Sequence, residues 1–209
     1  MSVKVKICGI TNFEDGRAAA DAGADALGFV FCESSPRCVA IPAAAKIIKN
    51  LPTFVIKTGV FVNAPEELVF RAVRECGLDL LQFHGDEPPE YCVQFGVMSM
   101  KAFRIRDASS LENLKNYPTD AWLLDSYVEG ELGGTGKIFN WDYADEAQRF
   151  GRPIFLAGGL TPWNVAEAVQ RVKPYAVDVS SGVETNPGKK DHEKVKAFIQ
   201  AAKAEKSES

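Results

Sequence analysis

Histidine is almost missing from this chain: 209 residues contain two, His84 and His192. A divalent-metal site built on imidazoles needs several converging ligands, so the expected metal content is none. A basic surplus is missing as well. Lys and Arg number 24 against 28 Asp and Glu, giving a formal charge of −4, and the footprint of a nucleic-acid partner is not there. No run approaches the ~18 apolar residues of a membrane span, so no membrane partner is expected. The N-terminal Met1-Ser-Val-Lys-Val-Lys-Ile7 has no apolar stretch of a secretory signal. Five cysteines occur with no CxxC pair and no framework spacing. A cytoplasmic setting is expected, in which thiols either pack or react. No Pro/Gly/Ser linker marks a boundary. We therefore expect one domain over residues 1–209, with the charged tail 203–209 frayed.

What is present is ordinary globular material: 46% apolar and 25% charged residues. Short β-rich apolar runs alternate with amphipathic segments along the whole length. The runs are Val3–Cys8, Ala26–Phe31, Ile56–Val62, Leu80–Phe83, Met98–Phe103, Ala121–Asp125, Pro153–Ala157 and Ala176–Ser180. Runs such as Leu27-Gly-Phe-Val-Phe31 are nearly continuous in apolar side chains, as strands buried on both faces are. Between them, Pro65 opens a helical pattern in which Leu68, Ala72 and Cys76 recur before a Gly77 stop. Thr161-Pro162 supplies an N-cap and N1. Val195, Phe198, Ile199 and Ala202 form the stripe of the last helix. Eight strand–helix units in strict alternation mean an α/β fold with a parallel sheet. A doubly wound sheet would carry a G-x-G-x-x-G turn after its first strand, and none is found. The expectation is a (β/α)8 TIM barrel, whose chemistry belongs at the C-terminal ends of the strands.

At those ends, Cys8 closes the first run and is followed by a glycine, placing a thiol at the barrel mouth. Cys76 and Cys92 fall within helical patterns and read as packing residues. Asp125 follows the sixth run directly, a partly dry setting suited to a general acid. Gly158-Gly159 follows the seventh run and Ser180-Ser181-Gly182 the eighth. Glycines admit an oxyanion to the backbone, and these two loops are where the fold binds phosphate. Arg37 in the second loop is a cation facing the mouth, shaped for a carboxylate. His84 reads as a polar wall or orienting group rather than a ligand. The Gly133–Gly136 segment reads as a mobile lid or a long flexible loop.

Taken in order, Lys6-Ile-Cys8-Gly-Ile10-Thr11, Gly28-Phe-Val-Phe31, Ser35-Pro-Arg37, Gln82-Phe-His84-Gly, Leu124-Asp125, Gly133-Gly-Thr-Gly136, Leu156-Ala-Gly158-Gly-Leu-Thr-Pro162 and Asp178-Val-Ser-Ser-Gly-Val-Glu184 resemble one family, phosphoribosylanthranilate isomerase of tryptophan biosynthesis. The resemblance covers nearly the whole chain. Cys32 and Cys38 around the arginine loop, and Phe83 between Gln82 and His84, are its variations. It implies a cofactor-free Amadori rearrangement of a small phosphorylated aminosugar, N-(5-phosphoribosyl)anthranilate, to 1-(2-carboxyphenylamino)-1-deoxyribulose 5-phosphate. It further implies Asp125 as general acid, Cys8 as general base and Arg37 as anchor of the anthranilate carboxylate. Asp178 falls near the ribose hydroxyls, and Gly158, Gly159, Ser180, Ser181 and Gly182 form the phosphate cradle. His84 and Glu184 follow as supporting residues, and the enzyme would act as a monomer or homodimer. Two rivals are a metal-dependent phosphosugar epimerase, against which the scarcity of histidine counts, and a silent phosphate-ligand sensor, which has no need of a separated thiol and acid.

Overall fold

The computed structural model describes residues 2–126 and 141–204. Each apolar run becomes one strand of a closed barrel in chain order. These are β1 (Lys4–Cys8), β2 (Ala26–Val30), β3 (Ile56–Phe61), β4 (Leu80–Phe83), β5 (Met98–Ile105), β6 (Ala121–Ser126), β7 (Ile154–Leu156) and β8 (Ala176–Val179). Every neighbouring pair is parallel, and β1 closes on β8 with Lys6 opposite Asp178. Around them lie α1 (Phe13–Asp21), α2 (Ile41–Lys49), α3 (Glu66–Cys76), α4 (Pro89–Cys92), α5 (Asp142–Gln148), α6 (Val165–Val172) and α7 (His192–Lys203).

Side-chain alternation along the strands makes two cores. The inward set, including Leu80, Met100, Leu123 and Phe155, fills the barrel. The outward set, including Ile7, Leu27, Phe29, Phe61 and Leu81, packs beneath the helices. Burying one such side chain contributes about 2 kcal/mol, which is why the runs read as continuous.

Four local expectations are corrected. On α3 the buried positions are Val69, Ala72 and Cys76, with Leu68 only half-buried, because the barrel-facing stripe is set one residue later. Pro65 is the N-cap rather than the first helical residue. Helix α6 starts at Val165, not at Pro162. Thr161 and Asn164 instead bond each other's turn, Asn164 Oδ1 accepting from Thr161 N at 2.8 Å and Thr161 Oγ1 from Trp163 N at 3.3 Å. The fifth unit has no α-helix; two 3-10 turns, Ala108–Leu111 and Leu114–Asn116, replace it. A capping box at Asp107 starts this Ser- and Asn-rich segment, whose side chains compete for the backbone groups that a helix would use.

After β8 the chain makes a 3-10 turn, Ser181–Val183, and a small antiparallel hairpin, β9 (Glu184–Asn186) and β10 (Lys189–Lys190), before α7. This hairpin returns two charged side chains to the barrel mouth. Helix α7 buries the expected stripe of Val195, Phe198, Ile199 and Ala202 and includes Lys203. The remainder of the tail from 205, and the Gly133–Gly136 segment read as a lid or a long flexible loop, lie outside the described residues. Among the described residues no helix is long and apolar enough to cross a membrane, and no group of three or more His, Cys, Asp or Glu is placed to hold a metal ion.

Candidate active site

A cavity of about 410 Å³ opens at the C-terminal ends of the strands. Its walls contain Cys8 from β1, Arg37 from the loop after β2, His84 after β4, Asp125 from β6, Gly158 and Gly159 after β7, and Asp178, Ser180, Ser181 and Gly182 from the end of β8 and its loop. All ten residues expected at the site therefore share one chamber. The apolar floor near Cys8 is Val30 and Val60. Cys76 and Cys92 are buried away from the chamber, as their helical spacing indicated.

Cys8 is buried, with its sulfur against β2 at Gly28, where an added Cβ would lie 2.7 Å from Sγ. Burial pushes the Cys8 thiol above its ordinary range; Lys6 opposes that shift, Asp178 reinforces it and Lys190 opposes it again. Asp125 is also buried. Its Oδ1 accepts from Ser126 N at 2.9 Å, and its Oδ2 lies 3.3 Å from His84 Nε2. The other imidazole nitrogen, Nδ1, sits 3.0 Å from Gln82 Nε2. His84 therefore stands beside the carboxyl, its Nε2 making no hydrogen bond.

Arg37 is engaged more than expected. Its Nε and Nη2 donate to the two oxygens of Glu184 at 2.9 and 2.8 Å. Glu184 Oε1 also accepts from the buried Lys190 Nζ at 2.7 Å. Burial works to raise the Glu184 carboxyl, but Arg37 and Lys190 outweigh it and hold the group below its usual range. The three charges sum to one positive charge at the mouth. The Nε and Nη2 edge of the guanidinium is thus taken by Glu184.

The sequence reading assigned no role to Lys6, Gln82 or Lys190. Lys6 is fully buried, its Nζ 2.8 Å from Asp178 Oδ1. The available signal was a charge at an inward position of a strand otherwise buried on both faces. Lys190 falls in Pro187-Gly-Lys-Lys-Asp191, which belongs to the family resemblance, but only the hairpin shows that it returns to the mouth.

The phosphate-side loops are locked together. At Gly182 an added Cβ would sit 2.0 Å from Leu160 O. Ser180 Oγ is buried without a hydrogen-bond partner, a group free to serve a ligand. Gly182→Ala must push the two loops apart at a cost of about 1–3 kcal/mol. We expect KM for a phosphorylated substrate to rise roughly 10-fold and the melting temperature to fall by several degrees; steady-state kinetics and a thermal melt measure both.

A closed parallel barrel whose mouth gathers a thiol, a carboxyl, an arginine and two glycine-bearing loops is a (β/α)8-barrel enzyme with its site at the C-terminal face. The sequence profile of N-(5'phosphoribosyl)anthranilate (PRA) isomerase matches residues 5–201. The chain belongs to the N-(5'-phosphoribosyl)anthranilate isomerase family. It is 53% identical over 207 residues to the N-(5'-phosphoribosyl)anthranilate isomerase of Pelobacter propionicus, covering 99% of each chain. Among solved structures it is similar to phosphoribosyl anthranilate isomerase from Thermotoga maritima, with a TM-score of 0.91 and 42% identity over 96% of this chain and 98% of that one. It is also similar to a phosphoribosyl anthranilate isomerase in complex with reduced 1-(o-carboxyphenylamino)-1-deoxyribulose 5-phosphate, with a TM-score of 0.87, 40% identity and coverage of 96% and 98%.

Proposed function

We propose that this protein converts N-(5-phosphoribosyl)anthranilate into 1-(2-carboxyphenylamino)-1-deoxyribulose 5-phosphate, the Amadori step of tryptophan biosynthesis, by general acid–base catalysis with Asp125 and Cys8. The observation that carries the reading is the shared chamber. A buried carboxyl on β6 and a buried thiol on β1 face one cavity, beside loops suited to a phosphate.

Asp125 gives a proton to the furanose ring oxygen. The C1–O bond breaks as the nitrogen lone pair forms the C1=N iminium. The positive nitrogen acidifies the C2 hydrogen, and Cys8 takes that proton as thiolate. The C2–H electrons form the C1=C2 bond, the iminium π pair returns to nitrogen, and the enolamine tautomerises to the ketone. His84, 3.3 Å from Asp125 Oδ2, orients the acid. Gly158, Gly159, Ser180, Ser181 and Gly182 hold the phosphate, and Asp178 meets the ribose hydroxyls with the oxygen that Lys6 leaves free. Arg37 anchors the anthranilate carboxylate with its outer edge. The reading carries with it a cytoplasmic enzyme, active as a monomer or homodimer without a cofactor.

Incubating the purified protein with the aminoaldose and following the products by carbon NMR tests the activity. A C2 carbonyl signal at the rate of substrate loss is expected; unchanged substrate overturns the reading. Arg37→Met tests the anchor. A charge-assisted contact of about 1.5–3 kcal/mol predicts KM raised roughly 10- to 100-fold with kcat changed far less. Glu184 keeps Lys190 as partner, so the mouth stays assembled.

A further inference from the structure

The proposed chemistry gives the buried charge of Lys6 no task. Lys6 lies on the inner face of β1, two residues before Cys8, and its side chain is fully buried beneath the cavity that Cys8 and Asp178 line. It does not form part of that cavity's wall, so it is not placed to touch a substrate. Its register partner on β8 is Asp178, and the two side chains meet at 2.8 Å. A buried ion pair of this kind is poor value for stability alone, since apolar side chains of similar volume serve as well or better. Neighbouring inward positions such as Ala176, Ala26 and Leu80 are apolar.

We propose that Lys6 is a positioning residue for the reaction: its ammonium, anchored by Asp178 beneath the mouth, is the counter-ion that lets Cys8 carry negative charge as it takes the C2 proton. The proposal rests on the reading of Cys8 as the base. Lys6 keeps its own proton throughout. The C2 proton moves to Cys8 Sγ, and only the charge opposite the ammonium changes. Gly28 permits this arrangement by leaving room for Sγ on β2, where a Cβ would close to 2.7 Å.

The groups facing Cys8 are few enough to separate. Lys6 comes from β1, Asp178 from β8, Lys190 from β10 and Arg37 from the loop after β2; each acts on the thiol through its charge. Glu184 neutralises part of the Arg37 and Lys190 pair. Asp125 and His84 stand on the other strands of the chamber. From β2 and β3 come only Val30 and Val60, with Cys32 packed beside them. Burial would by itself drive the Lys6 ammonium down, yet Asp178 and Cys8 hold it above its ordinary value. It therefore remains charged across the working range. A charge role and a merely structural role make different predictions here. Removing Lys6 and removing Asp178 break the same contact, but they act on the Cys8 thiolate with opposite sign.

The test reads the thiol directly in the ligand-free full-length protein. Iodoacetamide alkylates the thiolate, with sulfur displacing iodide, and peptide-resolved mass spectrometry separates Cys8 from Cys32 and Cys38. Lys6→Met should raise the pH midpoint of Cys8 alkylation by about one unit or more, the usual effect of losing a close opposite charge. Asp178→Asn should lower it. Because Lys6→Met strands a buried carboxylate, a Lys6→Met/Asp178→Asn double variant supplies a neutral interior; its midpoint should lie above that of Asp178→Asn alone. The pH profile of kcat/KM in Lys6→Met should move upward with the alkylation midpoint. Midpoints that stay fixed, or that move the same way in both single variants, overturn the proposal while leaving Cys8 as the base. A midpoint that moves while the kcat/KM profile stays fixed overturns the reading of Cys8 as the base, and with it the catalytic part of the proposal.

Discussion

Cys8→Ala should lower kcat for the aminoaldose substrate by about 10³-fold, within the range that a positioned general base contributes, with KM changed by no more than a few-fold. The substitution removes one sulfur from a small space between β1 and Gly28, so the structural cost is about 1 kcal/mol and the barrel stays folded. No substitute base stands in the same place. Asp178 lines the cavity, but one of its oxygens is held by Lys6 at 2.8 Å, and Cys32 lines it from the loop after β2 rather than from β1. Cys8→Ser should fare no better, since a serine hydroxyl ionises far above the working pH. The check is steady-state kinetics beside a thermal melt. Near-native turnover in Cys8→Ala would remove the thiol from the mechanism.

Asp125→Asn is expected to be comparably damaging, with a loss in kcat of about 10²–10³-fold. This variant isolates chemistry from architecture. An asparagine Oδ1 still accepts from Ser126 N, the contact that fixes Asp125 at 2.9 Å, and the volume is unchanged. What disappears is the carboxyl proposed to protonate the ring oxygen. His84 does not replace it: its Nε2 faces the Asp125 carboxyl, and its Nδ1 is committed to Gln82. KM should change little, because the phosphate loops and Arg37 are untouched. A large rise in KM with kcat preserved would instead make Asp125 a binding residue.

Much of this was legible before any coordinate. The eight strands appear within two residues of their expected ends, because burial on both faces leaves an unbroken apolar signature. The meeting of the candidate site residues in one chamber was legible for a related reason: the barrel converts a position at a strand end into a position at the mouth, so topology brings Cys8 and Asp125 to one cavity. What was not legible depends on long-range charge. Nothing local shows that Arg37 spends its inner fork on Glu184, or that Lys190 returns through a hairpin to share that carboxylate. The state of Cys8 was also out of reach, since burial and Lys6 act on it in opposite directions. The missing fifth helix is a smaller case. Its Ser and Asn side chains favour turns, and Leu111 and Leu114 are buried from 3-10 turns rather than from a helix.

The measurement that bears most directly on the central claim is the initial rate at which the wild-type protein, purified and assayed with a strong chelator present, removes the fluorescence of N-(5-phosphoribosyl)anthranilate. The account predicts rapid loss in proportion to enzyme, reduced to the uncatalysed rate when Cys8→Ala and Asp125→Asn are combined. A wild-type rate no faster than buffer, or a combined variant as fast as wild type, would contradict it.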